Sequence, residues 1–245
     1  MGRPVRVAVI YIGTSKYRKF FDGYYVGITK NFLRSAEKTF FVFTDDTTDT
    51  IFDKPDVVKM HIAHEKWPFI TLHRFKYMRS VEDRLREYDY VFFIDADLWC
   101  VSEVTETDLF AGNPLIGVQH PGFIGSIGSF ETDTRSNANI FDGYYDVSKY
   151  RQGCLWGGKA ESVVEMASEL DRWVDEDKSR GIVAAWHDES HMNKYFLMNS
   201  ESVHTLHPGF AQPQSGYDHV RSAYPTKFVH LHKEMSEFPR FEGIK

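Results

Sequence analysis

The chain predicts an α/β fold built on an open, largely parallel sheet, and three observations carry that reading. Apolar strand-like runs alternate with helical patterns through the N-terminal half, an apolar run at 90–94 ends in two acidic residues, and neither repeat nor linker divides the chain. In order, 5–12 reads as a strand, 17–36 as a helix, 39–43 and 57–62 as strands, 67–86 as a helix and 90–94 as a strand. The second half is more mixed. Strands at 114–119 and 150–156 flank a polar, loop-rich stretch at 126–148, helices follow at 161–177 and 189–197, and a last strand at 227–232 leads into a tail without periodicity, 233–245.

With 245 residues the chain has enough material for one sizeable domain. Its 20 Phe, 13 Tyr and 5 Trp suit a well-packed core and equally suit a pocket that stacks on bases or sugars. A net charge of −6 with dispersed Lys and Arg argues against a nucleic-acid surface, so a polyanionic ligand needs a metal or local basic groups. Cys100 and Cys154 match no zinc or disulfide pattern and read as reduced thiols. No apolar run is long enough for a signal core or a membrane span, so a soluble, cytoplasmic protein without a membrane anchor is expected.

The most informative feature is Asp95-Ala96-Asp97 at the end of the apolar run. Open α/β sheets hold ligands at the carboxyl ends of their strands, and alternation turns both carboxylates to one side, where they can share a hard cation such as Mn²⁺ or Mg²⁺. The plainer reading, two acids marking where a strand meets solvent, leaves their place at the sheet's mouth unexplained. No glycine-rich phosphate loop follows the first strand, so the metal must carry any pyrophosphate. The turn there runs from Tyr11 to Tyr17, two rings that could sandwich a base or belong to the core.

A second constellation, Trp-His-Asp-Glu-Ser-His-Met-Asn-Lys-Tyr-Phe at 186–196, places a polar cluster at the start of a helix. Asp188 as an N-cap and Glu189 as a first-turn acid would account for the acids, though not for Trp186 and His187 beside them. Upstream, Gly153-Cys154-Leu155-Trp156-Gly157-Gly158 brackets a strand with glycines, a sign of close backbone approach to a ligand.

With these residues the chain resembles glycosyltransferase family 6, the retaining group of the ABO blood-group transferases and the α-1,3-galactosyltransferase. The W-H-D-E-S-H-x-N-K-Y segment is the most specific mark. The tyrosine-bearing turn, Lys66-Trp67 with Arg74, the D-x-D, His120-Pro121 and Gly157-Gly158 follow in the family's order, from about residue 5 to about 241. The resemblance implies a GT-A fold, a Rossmann-like mixed sheet flanked by helices, in one catalytic domain over 1–245. A nucleotide-binding half at about 5–97, an acceptor-binding half at 98–232 and a C-terminal lid at 233–245 would compose it. It implies a UDP-sugar donor and retaining transfer of galactose or N-acetylgalactosamine to a β-galactoside-type glycan, in an α-1,3 linkage. Asp95 and Asp97 would then hold Mn²⁺ or Mg²⁺ at the diphosphate, Glu189 would be the catalytic carboxylate, and Asp188 and Arg74 would reach the donor sugar. Tyr11, Ile12, Tyr17 and Ile70 would line the uridine site, His120 and Trp186 would touch the acceptor, and Gln152-Gly153-Cys154 would tune specificity. Cys154 is bulkier than the Gly or Ala usual at its place, which favours UDP-galactose over UDP-N-acetylgalactosamine.

Two departures stand out. The cytoplasmic tail, membrane anchor and stem of mammalian members have no counterpart, as expected of a minimal microbial or viral form. Lys233 and Arg240, matching the basic pair that covers the diphosphate, are separated by six residues where the family has five. His230 and His232 alternate on the last strand; a C-terminal histidine is a third metal ligand in some other GT-A families, but family 6 uses only the acid pair, so both read as packed or surface histidines. A haloacid-dehalogenase-type phosphatase fits poorly, because its D-x-D lies on the first strand and needs Thr or Val where Trp99 stands. A non-catalytic UDP-sugar or glycan-binding protein on the same fold would not need Glu189.

Overall fold

The computed structural model describes residues 3–140 and 145–234. Arg240 and the lid beyond residue 234 lie outside the described residues. The principal sheet has seven strands in the order β3-β2-β1-β4-β7-β6-β8. These are β1 (Arg6–Ile12), β2 (Glu37–Thr44), β3 (Val57–His61), β4 (Tyr90–Ile94), β6 (Leu115–Gln119), β7 (Arg151–Lys159) and β8 (Val203–Leu206). Only β7 runs against its neighbours, antiparallel to β4 and β6, while the other pairings are parallel, so the sheet is mixed. A small second sheet joins β5 (Leu98–Cys100), β10 (Phe228–His230) and β9 (Gln212–Pro213).

The core follows from alternation along strands buried on both faces. Val7, Val9 and Tyr11 of β1 turn toward α1 (Phe21–Asn31), where Phe21, Tyr24 and Ile28 receive them. Ala8 and Ile10 turn to the opposite side, against α3 (Arg74–Arg79), α6 (Ala160–Ser179) and α7 (His187–Met198). Short helices α2 (Phe69–Leu72), α4 (Glu82–Leu85), α5 (Glu106–Leu109) and α8 (Asp218–Ala223) complete the set. No described helix is long and apolar enough to cross a membrane.

The helix expected over 17–36 is a 3₁₀ turn, Ser15–Phe20, followed by α1, and it stops at Asn31 because Phe32 bridges Val104 and Leu33 turns to φ 44°. The helix expected over 67–86 divides into α2, α3 and α4, since His73 (ψ 5°) and Val81 (φ −128°, ψ 17°) leave helical geometry. Strands β5, β8 and β9 are too short to announce themselves, yet β5 matters most: it follows Asp97 directly and pairs with β10, bringing His230 opposite Leu98.

Candidate active site

At the carboxyl ends of β1 and β4 lies a cleft with two adjoining basins of about 350 and 340 Å³, which share Trp67, Thr71, Arg74, Asp95 and His230 as a common wall. The first basin collects Ile12, Tyr17, Ile70, Arg74, Asp95, Asp97 and Lys233 from the residues expected to bind a donor. Asp97 is almost wholly buried, with His230 Nε2 at 3.2 Å from Oδ1 and the Lys233 ammonium against Oδ2. Burial alone would raise its pKa, but the hydrogen bond and charge of His230, reinforced by Lys233, outweigh that and hold Asp97 well below the usual carboxylate range. Asp95 is pushed up to about 6, chiefly by burial and further by Asp97, although Arg74 opposes the shift. Ligand atoms of Asp95, Asp97 and His230 all lie within 4.8 Å of one another, so the donor set fits a divalent cation.

Arg74 ties the basins together. Buried at 4% exposure, it stacks over Phe93 with 4.3 Å to the ring centroid, donates to the Gly153 carbonyl at 2.8 Å, and faces Asp188 at 3.1 Å and Asp95 at 3.6 Å. A single guanidinium thus spans the strand that ends in the D-x-D and the helix that begins at His187. Asp188 is therefore not an N-cap, the plainer of the two readings the sequence allowed it. Trp186 occupies the cap position, and Asp188 sits inside the first turn with its carboxylate on Arg74.

Glu189 is held at both oxygens, Oε1 by the Tyr150 hydroxyl at 2.7 Å and Oε2 by the Gly153 N–H at 2.6 Å. Burial dominates its titration and raises its pKa to about 7, against the lowering effect of those two hydrogen bonds. The next residue of β7, Cys154, accepts from the Asp95 N–H at 2.8 Å, so consecutive residues of one strand fix both acidic centres. Asn193 explains why α7 docks there. Its side chain accepts from Arg151 N–H at 2.8 Å and donates to Arg151 C=O at 2.7 Å, matching a strand edge from a helix. His191 bonds the buried Asp177 at 3.0 Å, which also takes the Ser136 hydroxyl at 2.6 Å and anchors the 126–148 loop.

The second basin is lined by His120, Gln152, Gly153, Cys154, Trp186 and Glu189. Trp186 is 52% exposed at its mouth and donates its indole N–H to Ser129 Oγ at 2.8 Å. His120 accepts from Gly122 N–H at 3.0 Å, and burial lowers its pKa. Tyr217, carried over the basin by a left-handed φ of 52°, is the other exposed aromatic on this wall.

The structure thus brings nearly all the expected residues to one cleft. Tyr11 is the exception among those described: its ring is fully buried against Phe21 and Tyr24, with its hydroxyl on the Tyr17 carbonyl, so alternation on β1 sends it to the core. Sequence reasoning missed Tyr150, whose only signal was its place at the start of the strand expected over 150–156, and set His230 aside as packed or surface. His230 comes to the cleft only because β10 pairs with β5.

A family model described as glycosyltransferase family 6 matches residues 3–237. The chain is 32% identical over 194 residues, 79% of its length and 82% of the relative's, to the O-antigen biosynthesis glycosyltransferase WbnI of Escherichia coli. It is 31% identical to the histo-blood group ABO system transferase 2 of Rattus norvegicus, covering 71% of this chain and 56% of that protein. A globoside alpha-1,3-N-acetylgalactosaminyltransferase 1 of Gallus gallus is 26% identical, covering 80% of this chain and 59% of its own length. The chain therefore spans little more than half the length of the two animal relatives.

Proposed function

The chain belongs to glycosyltransferase family 6, and from that premise we propose that it moves galactose from UDP-galactose to a β-galactoside-type glycan with retention, forming an α-1,3 linkage and releasing UDP. Arg74 carries the reading, because its contacts with Asp95 and Asp188 put a cation-binding acid pair and Glu189 into one continuous cleft. N-acetylgalactosamine is the competing donor sugar, named for the Gallus gallus relative. Buried Cys154 leaves less room for an N-acetyl group than Gly or Ala would.

Breaking a glycosyl–phosphate bond develops positive charge at the anomeric carbon and negative charge on the departing diphosphate. Asp95 and Asp97 are suited to hold Mn²⁺ or Mg²⁺, which when bound supplies positive charge to the diphosphate. Glu189, with each oxygen fixed by a donor, addresses the opposite end of the same charge separation. Arg74 and Asp188 orient the sugar between them, Ile12, Tyr17 and Ile70 border the uridine, and His120, Gln152, Trp186 and Tyr217 receive the acceptor. On this reading residues 5–97 supply most of the donor wall and 98–232 most of the acceptor wall. Lys233, whose ammonium meets Asp97, supplies positive charge toward the diphosphate. Both cysteines are free and buried, which suits a reducing compartment such as the cytoplasm.

The test is transfer from UDP-galactose, UDP-N-acetylgalactosamine and UDP-glucose to terminal β-galactosides with Mn²⁺, with the anomeric configuration of the product read by NMR. An α-linked galactoside is expected. UDP binding without transfer across a glycan panel would instead favour a non-catalytic binding protein.

A further inference from the structure

We propose that His230 is a third protein ligand to the divalent cation and selects a transition ion such as Mn²⁺ over Mg²⁺. The proposal rests on the assignment of Asp95 and Asp97 as cation ligands. His230 Nε2 lies 3.2 Å from Asp97 Oδ1, and the three ligand atoms fall within 4.8 Å of one another at the junction of the two basins. Two basic groups meet Asp97 in the metal-free protein, but they differ in freedom to leave. Lys233 stands beyond the end of β10 on a flexible stem, so a dication can displace its ammonium toward the diphosphate. His230 is fixed by its backbone: β10 pairs with β5 on one side and β9 on the other, and Leu231 N–H donates to the Asp97 carbonyl at 2.9 Å. With its backbone anchored and its Nε2 already at Asp97, the ring is presented to an incoming ion, and a neutral imidazole nitrogen is itself a metal ligand.

The consequence is selectivity. All-oxygen sets serve Mg²⁺, Ca²⁺ and Mn²⁺ alike, whereas imidazole belongs with the transition ions. Replacing His230 should therefore weaken Mn²⁺ more than Mg²⁺.

Pulsed EPR on the Mn²⁺–UDP complex of the full chain reads the ligand directly. The wild-type protein should show nitrogen coupling that changes from ¹⁴N to ¹⁵N frequencies when only histidine is ¹⁵N-labelled, and His230→Gln should abolish it while His232→Gln keeps it. His230→Gln should also lower Mn²⁺ affinity about tenfold or more, the scale on which even outer-shell partners act, and lower the Mn²⁺/Mg²⁺ preference. Bound Mn²⁺ that is lost in Asp97→Asn but shows no histidine coupling overturns the His230 assignment and leaves the acid pair standing. Wild-type protein with UDP that binds no Mn²⁺ overturns both.

Discussion

Asp97 and Glu189 belong to one cleft, yet Asp97 is met by His230 and Lys233, whereas Glu189 is held by a phenol and a backbone amide with no basic side chain among the described residues hydrogen-bonded to it. Their titrations diverge accordingly. The basic partners overcome burial at Asp97 and depress it, while burial prevails at Glu189 and raises it to about 7. The difference separates two tasks. Asp97 sits where positive charge is present before reaction, in Lys233 or in an arriving cation. Glu189 has no cation hydrogen-bonded to it and feels Arg74 only through space, so on the proposed function its charge gains a close partner when positive charge develops at the anomeric carbon.

The sharpest way to break this contrast is Glu189→Gln, which keeps size and removes charge. Turnover should fall on the order of a hundredfold or more, with UDP affinity nearly unchanged, as expected for an interaction made mainly in the transition state. Calorimetry of UDP binding alongside kcat on one preparation checks it, and wild-type kcat in the variant would end the assignment.

Next in size is a test of the strand that spaces the two centres. Gly153 N–H holds Glu189 and Cys154 C=O holds Asp95 N–H, so Cys154→Gly removes a side chain while keeping both backbone contacts. The preference for UDP-galactose over UDP-N-acetylgalactosamine, as a kcat/KM ratio, should fall roughly tenfold or more, the usual worth of a group that fills a pocket. An unchanged ratio would mean that Cys154 does not border the acetyl position.

How much of this contrast is legible in the sequence depends on how far apart its parts lie. Asp95 and Asp97 are two residues apart at the end of an apolar run, so period-two alternation alone predicts that they converge. The segment from Trp186 announces a site but conceals its division of labour. Glu189 and Asp188 face the cleft, while Ser190, His191 and Asn193 serve the scaffold through Trp186 N–H, Asp177 and Arg151. Helical periodicity assigns them to faces but cannot reveal partners on another strand. His230 and Tyr150 reach their acids across sequence separations of 133 and 39 residues. His230 depends on pairing between β5 and β10, each three residues long and too short for any periodic signal. Tyr11 fails in the other direction: the turn suggested a ligand wall, whereas the register of β1 commits its ring to the core.

A smaller effect should come from Tyr150→Phe, which removes one of the two donors to Glu189. Because that donor favours the charged form, its loss should move the acidic limb of the kcat/KM profile for donor to higher pH, above the value of about 7. A hydrogen bond to a charged group is worth about 1.5–3 kcal/mol, so the displacement should be on the order of one pH unit. An unmoved limb would show that Glu189 does not govern it.

The smallest effect is on stability, and its sign separates the catalytic reading from a capping one. Glu189 titrates near 7 in the folded protein but near the ordinary carboxylate value of about 4.3 when unfolded, so between those values the folded state binds more protons. Its contribution is favourable below the unfolded pKa and is lost as pH rises through about 7. At 1.36 kcal/mol per unit, the loss is on the order of 4 kcal/mol at most, and replacing hydrogen bonds worth about 1 kcal/mol each reduces what a variant can recover. Glu189→Gln lacks this titration, so its melting temperature relative to wild type should rise by a few degrees from pH 5 to pH 8. A first-turn acid that merely complements the helix dipole is ionised throughout that range, so it predicts a variant that trails by a constant deficit of about 0.3–1 kcal/mol from pH 5 to pH 8. Melting curves of both proteins without metal or nucleotide decide between them, and a difference that stays flat from pH 5 to pH 8 would assign Glu189 to the helix.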